Sequence, residues 1–254
     1  MKERPLDGGN LGGAVRVGNT VRRSAGPWTG SVHALLHHLE AKGFPGAPRA
    51  LGRDDRGREV LTFLDGTTVG STKPWPGWVH RDSTLDDVSA WMREYHAAVA
   101  DFIPPADAIW RVGATWEPGL IIGHNDAAPY NAAWRHDALV GFFDWDFAGP
   151  VTPDWDLAYS AFSWVPLHAR SVVTAEGFTD LAGRPRRLRR FLDGYGWSGT
   201  LETFLDVVRT RVHAHATDLR RLAAAGDPPF VQLVADGHAD RIDDALCEMD
   251  QIDF

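Results

Sequence analysis

Cysteine is almost absent from this chain. Cys247 is the only one in 254 residues, which excludes an internal disulfide framework and any multi-cysteine metal site. Long apolar runs are missing too, and no stretch approaches the ~20 consecutive apolar residues of a membrane span. The opening residues, MKERPLDGGN, carry charges with no apolar run behind them, unlike a secretory signal, so a cytoplasmic location is expected. Lysine is scarce as well: Lys2, Lys42 and Lys73 are the only three, and the other basic residues are arginines. A formal net charge of −8 argues against a nucleic-acid partner, because phosphate backbones attract basic surfaces, and is compatible with a cationic one.

What remains is an ordinary globular composition, with 44% hydrophobic and 24% charged residues and enough length for one large domain or two lobes. The first quarter alternates short apolar runs with turns. Ala14–Val17 and Thr20–Arg23 flank the pair Gly18-Asn19 and predict a β-hairpin. Ser31 is expected to cap a helix over 32–42 that Gly43 and Pro45 end, with Ala34, Leu35, Leu36 and Leu39 on its apolar face. Two strands follow, one at Leu51 and one over 60–64, joined by a charged turn. Residues 65–84, rich in Gly, Pro, Thr and Trp, form the natural internal boundary. Beyond them the pattern is mostly helical: 83–102, then segments near 156–166, 184–195, 200–224 and 230–250. This predicts an α+β protein with a small strand-rich lobe over 1–66 and a larger helical lobe over 67–254.

The chemistry concentrates between Leu120 and Trp155. An apolar run leads into His124 and Asp126, and Asn131 follows five residues later. A second apolar run, Leu139–Phe143, ends in Asp144, Trp145 and Asp146. Polar groups at the ends of buried strands are costly unless satisfied, so they mark sites. Phosphoryl transfer explains the residue types. A hydroxyl attacking a γ-phosphate needs a carboxylate to orient it and accept its proton, which fits Asp126. The polyphosphate needs Mg²⁺, a cation that prefers hard oxygen ligands, which fits Asn131 and Asp144. The bland alternative is that these residues serve only as turn and capping groups.

The stretch His124-Asn125-Asp126 followed by Asn131 resembles the catalytic loop of the aminoglycoside phosphotransferases and their protein-kinase relatives. Phe143–Gly149, with its Asp-Trp-Asp core, is similar to that family's metal-binding segment. Asp154-Trp155-Asp156-Leu157-Ala158-Tyr159 is similar to its Asp-Leu-Ala helix start, whose aspartate braces the catalytic loop. Three motifs in the right order make the resemblance specific, most strongly over residues 88–160. It implies a bilobal protein-kinase-like fold, ATP or GTP as phosphoryl donor, Mg²⁺ as cofactor, and a small-molecule hydroxyl acceptor such as an aminoglycoside-like antibiotic or a metabolite. It further implies Asp126 as base, with His124 bracing the loop or shuttling a proton. Asn131 and Asp144 are then metal ligands. Asp146 either joins them or bonds backbone.

The chain also departs from this family. A lysine on the third strand, paired with a helix glutamate, contacts the nucleotide phosphates in these enzymes. Here Arg22 or Arg23 stands in its place, with Arg23 preferred, and the glutamate position falls near Val32-His33. The glycines of 8–13, with Gly12 and Gly13 nearest the strand, either cover phosphates or simply make turns. These departures keep open a catalytically impaired nucleotide-binding or immunity protein on the same fold. Elsewhere, Arg184–Arg190 reads as a solvated helix face and Cys247 as a small core residue. The acidic residues from Asp236 to Asp253 form either an exposed helix surface or a lining for a cationic acceptor.

Overall fold

A computed structural model describes residues 2–6, 13–70 and 73–254. The expectations placed on Gly8, Gly9 and Gly12 fall outside these residues. Contacts divide the chain into two compact units, the first comprising Met1–Ser71 with Ala90–Asp156 and the second Thr72–Ser89 with Leu157–Phe254.

The first unit carries an antiparallel five-stranded sheet of order β1-β2-β3-β5-β4. Its strands are β1 (Arg4–Pro5), β2 (Val15–Val17), β3 (Thr20–Arg23), β4 (Ala50–Arg53) and β5 (Glu59–Thr62). The predicted hairpin is β2–β3, turning at Gly18 with φ +61°. Between β3 and β4 lies helix α1 (Thr29–Ala41), which buries Val32, Leu35, Leu36 and Leu39, a stripe spaced for one helix face. Each such side chain contributes about 1.5–3 kcal/mol. The helix starts earlier than expected. Ser31 lies inside its first turn, and its hydroxyl accepts from the Ile109 amide at 2.8 Å instead of capping the helix. Helix α2 (Asp82–Val99) supplies Ala90–Val99 to this unit.

Two further ribbons complete it. Strand β6 (Ile121–Gly123) pairs with β9 (Gly149–Val151), and β7 (Ala132–Arg135) pairs with β8 (Ala138–Phe142). Their core is aromatic: Trp91 stands 4.6 Å from Phe142 and 5.0 Å from Tyr95, and Tyr95 lies 5.3 Å from Trp145. The polar atoms of these rings are all satisfied by backbone carbonyls. Trp91 Nε1 donates to Gly46 O (3.1 Å), Tyr95 OH to Ile122 O (2.5 Å) and Trp145 Nε1 to Phe142 O (3.0 Å).

In the second unit, α3 (Pro153–Trp164) continues from Leu157 and is followed by α4 (Arg170–Ala175), α5 (Arg184–Tyr195), α6 (Leu201–Ala224), α7 (Pro228–Ala235) and α8 (His238–Met249). The expected 230–250 helix is broken in two at Gly237, which adopts φ +75°. Helix α6 packs against both α7 and α8, and Phe204, Val208, Val212 and Ile242 are buried. The arginine run of α5 is only partly a solvated face. Arg184 and Arg187 are buried, and Arg187 donates to His80 O (3.0 Å), Asp82 Oδ1 (3.1 Å) and Trp164 O (3.1 Å). The acidic residues of α8 lie on its outer surface, where Arg220 of α6 pairs with Asp240 at 2.9 Å and Asp243 at 2.6 Å. Cys247 is exposed, contrary to the expected core position, because it falls on the outward face of α8.

Gly141 shows how tightly the first unit closes. It sits in β8 at φ +150°, and an added Cβ would lie 2.3 Å from Gly46 O. Both the conformation and the contact exclude a side chain. Gly141→Ala is expected to lower unfolding stability by at least about 2 kcal/mol, measured by urea denaturation.

Candidate active site

The first motif forms a loop held from behind. Strand β6 ends at Gly123, and the next two backbone amides point at one carboxylate. His124 N donates to Asp156 Oδ2 at 3.0 Å and Asn125 N to Asp156 Oδ1 at 2.6 Å. His96 Nε2 completes the set at 3.0 Å from Asp156 Oδ2. Asp156 is fully buried. Burial alone would raise its pKa. The His96 hydrogen bond, the nearby imidazoles and the Asn125 amide outweigh that and hold the carboxyl below its usual range. Asn125 adopts φ +63° and sends Nδ2 to Phe147 O at 3.0 Å, tying this loop to the second motif.

His124 is also fully buried, 4.5 Å from the Trp145 ring. Burial drives its pKa down to about 4, against the opposing pull of Asp156 and Asp144. It is therefore neutral near pH 7, and its Nδ1 accepts from the Asp126 amide at 3.3 Å. This contact ties the imidazole to the loop backbone.

Asp126 faces outward from this brace. Its Oδ2 accepts from Asn131 Nδ2 at 2.8 Å and its Oδ1 from the Tyr130 hydroxyl at 2.6 Å. Asn131 Nδ2 also donates to Asp126 O at 3.0 Å. With its amide nitrogen so engaged, Asn131 keeps its side-chain carbonyl oxygen as an acceptor. The Phe143 amide donates to Asn131 O at 2.9 Å, which sets the following residue, Asp144, beside this loop.

Asp144 occupies the left-handed region (φ 62°, ψ 69°), rare for a residue with a side chain though tolerated by Asp. Its Oδ1 accepts from Arg23 Nη1 at 2.8 Å, while Asp146 Oδ1 accepts from Arg23 Nη2 at 2.6 Å. Arg23 Nε donates to Glu59 Oε1, and His33 Nε2 meets the other Glu59 oxygen at 3.1 Å. Burial would depress the Arg23 pKa, but three carboxylates raise it further above its usual range. Burial pushes Asp146 up, opposed by the Arg23 charge and assisted by Asp144. Arg111 adds a second cation, 3.6 Å from Asp146 Oδ2, with its guanidinium over the Trp28 ring at 4.7 Å. Two guanidinium groups among three carboxylates leave one negative charge in excess, which suits a divalent cation. Among the described residues no group of three or more His, Cys, Asp or Glu side chains is arranged to hold a metal. The donors that fit magnesium are the hard oxygens of Asn131 and Asp144, because Mg²⁺ keeps several waters and shares phosphate oxygens.

The two strand arginines part company. Arg23 joins Asp144 and Asp146, whereas its neighbour Arg22 projects from the opposite face of β3 and lies 3.8 Å from Asp54. Gly13 precedes β2, exposed and with no heavy atom near its Cβ position. Glu59, His33, Arg111 and Tyr130 belong to the cluster and were not anticipated as site residues. Tyr130 lies inside the first motif, between Asp126 and Asn131, and His33 falls at the expected glutamate position. Glu59 left a weaker signal, as an acidic residue opening an otherwise apolar strand, and Arg111 left none.

Strand-rich and helical parts, together with a loop-and-segment site of this kind, define the protein-kinase-like architecture of small-molecule phosphotransferases. The chain matches the phosphotransferase enzyme family (APH) over residues 76–199. It is 36% identical over 198 residues to the trifolitoxin immunity protein of Rhizobium leguminosarum bv. trifolii, spanning 76% of this chain and 74% of that protein. The chain belongs to this phosphotransferase (APH) family. Its fold is similar to that of a choline/ethanolamine kinase family protein from Mesorhizobium loti, with a TM-score of 0.61 at 14% identity over 97% of this chain and 88% of that one. It is similar also to aminoglycoside 2'-phosphotransferase-IIIa, solved as a GDP complex, with a TM-score of 0.60 at 14% identity over 98% and 93% of the two chains.

Two desolvated imidazoles impose a pH dependence. His124 is protonated only near about 4 in the folded chain and His215 only near about 3, whereas an unfolded histidine takes its proton near ~6.5. Between these values the unfolded state binds more protons, so stability falls as pH drops. The loss is up to about 1.4 kcal/mol per pH unit for each group. Urea midpoints measured from pH 7 to pH 4.5 are expected to decline, and His124→Gln to decline less steeply.

Proposed function

We propose that this protein transfers the γ-phosphoryl group of ATP or GTP to a hydroxyl of a small molecule. The observation that carries the reading is the Asp126 carboxylate, which already holds a hydroxyl, that of Tyr130, at 2.6 Å while Asn131 fixes its other oxygen. An acceptor hydroxyl taking the Tyr130 position meets a carboxylate oriented to receive its proton. Asp126 is the base. Asn131 and Asp144 are the metal ligands, and Arg23 is the cation toward the phosphates. When bound, Mg²⁺ neutralises developing charge on the phosphate oxygens. His124 and Asp156 keep the loop in place without touching substrate. Asp146, engaged by Arg23 and Arg111, orients Arg23. The lobe boundary near residue 66 and a part in antibiotic resistance or self-immunity belong to this proposal, as does action in the cytoplasm, where nucleotide donors are met. No helix among the described residues is long and apolar enough to cross a membrane.

The acceptor class stays broad. The acidic residues of α8 that were candidates for a cationic lining include Asp240 and Asp243, both already paired with Arg220. A second reading, nucleotide binding without turnover, draws on the engagement of Arg23 with three carboxylates. Incubation with labelled ATP and GTP, Mg²⁺ and a panel of aminoglycosides, other antibiotics and metabolites separates the two. Asp126→Ala is expected to reduce transfer at least ~10³-fold with nucleotide affinity nearly unchanged, and Asp144→Ala to abolish the metal dependence of nucleotide binding. Transfer at wild-type rate in either variant would refute the assignment.

A further inference from the structure

Arg23 and Glu59 are direct cross-strand partners in the β3–β5 pairing. Their ion pair is therefore set by the register of the sheet, which holds opposed side chains within reach of each other. Glu59 is almost wholly inaccessible, and its two oxygens are divided between Arg23 Nε and His33 Nε2. A carboxylate only accepts, so the imidazole presents its N–H to it. His33 stands on α1, where a kinase would carry its helix glutamate. The acidic and neutral partners have exchanged elements. The carboxylate sits on the sheet, and the helix contributes the hydrogen bond that orients it.

We infer that Glu59 is the positioning residue of the nucleotide site, holding Arg23 for the phosphates from the sheet, with His33 fixing Glu59 from the helix. A guanidinium has five N–H bonds. Glu59 takes the one on Nε, while Asp144 and Asp146 each take one from Nη1 and Nη2. One N–H on each Nη is left for phosphate oxygens. Without Glu59 the carboxylates bonded to Arg23 among the described residues are the two that follow Phe143, Asp144 and Asp146, and the guanidinium settles on them as a competing cation. Because the pair is built into the strand register, Arg23 is placed without any movement of α1.

This inference rests on the nucleotide reading above, and its test keeps the two apart. Calorimetric titration with Mg-ATP and Mg-GTP compares wild type, Glu59→Gln and the double variant Glu59→Gln/His33→Glu, which moves the carboxylate back to the helix. Glu59→Gln is nearly isosteric, and thermal melts verify folding. It is expected to bind about tenfold more weakly, the loss of one charge-assisted hydrogen bond felt indirectly, and the double variant to regain most of that affinity. Equal binding by Glu59→Gln and wild type, or no gain in the double variant, overturns the positioning role. Wild type that binds no nucleotide overturns the nucleotide reading instead. A readout free of nucleotide then decides the position of Arg23. Its Nε–H resonance should be shielded from solvent exchange in wild type, exposed in Glu59→Gln and shielded again in the double variant. An unchanged resonance in Glu59→Gln refutes the inference.

Discussion

One buried carboxylate organises the loop that carries Asp126. Asp156 receives the amides of His124 and Asn125 and the imidazole of His96 with no solvent around it. A carboxylate in such surroundings is costly unless it is well hydrogen-bonded, and here three donors reach its two oxygens. The consequence is directional. With two successive amides committed backward to Asp156, Asp126 is turned forward. The Asn125 side chain extends the same constraint to Phe147 and so to the segment bearing Asp144 and Asp146. The aromatic packing of Trp91, Tyr95, Phe142 and Trp145 excludes the water that would otherwise compete for these bonds.

The second organising feature is a charge exchange. An arginine in place of lysine brings a wider, planar set of donors, and a single carboxylate does not saturate it. The protein surrounds Arg23 with Glu59, Asp144 and Asp146 and adds Arg111 behind Asp146. Where α1 carries His33, the strand beside Arg23 supplies an acidic partner, Glu59. The same economy is visible in the helical unit. Exposed aspartates of α8 meet an arginine of α6, and the buried Arg187 finds backbone carbonyls and Asp82.

Much of this was legible from residue order. The β2–β3 hairpin, α1, α2, and the long helices α3, α5 and α6 follow from apolar spacing and turn residues, which are local properties. The His124–Asn131 and Asp144–Asp146 motifs were legible for a related reason, since a loop that must present several polar groups in a fixed order writes them close together in the chain. The apolar run before His124 was legible as a strand, but its partner β9 and the break at Gly237 were not, because a three-residue strand holding Gly149 and Pro150 and a single left-handed glycine leave almost no periodic trace. Cys247 and Arg187 were misjudged because helical spacing does not reveal which face a neighbouring helix will cover.

The sequence by itself determined the family, the order of the motifs and the presence of an arginine where a lysine was expected, all of which are carried by neighbouring residues. Tertiary structure alone decided which carboxylates that arginine meets. Glu59 is 36 residues from Arg23 and Asp144 is 121 residues away, and only the register of β3 on β5 and the left-handed turn at Asp144 bring their charges together. Ion pairs act over a few ångströms in space whatever their separation along the chain, so no reading of local pattern contains them.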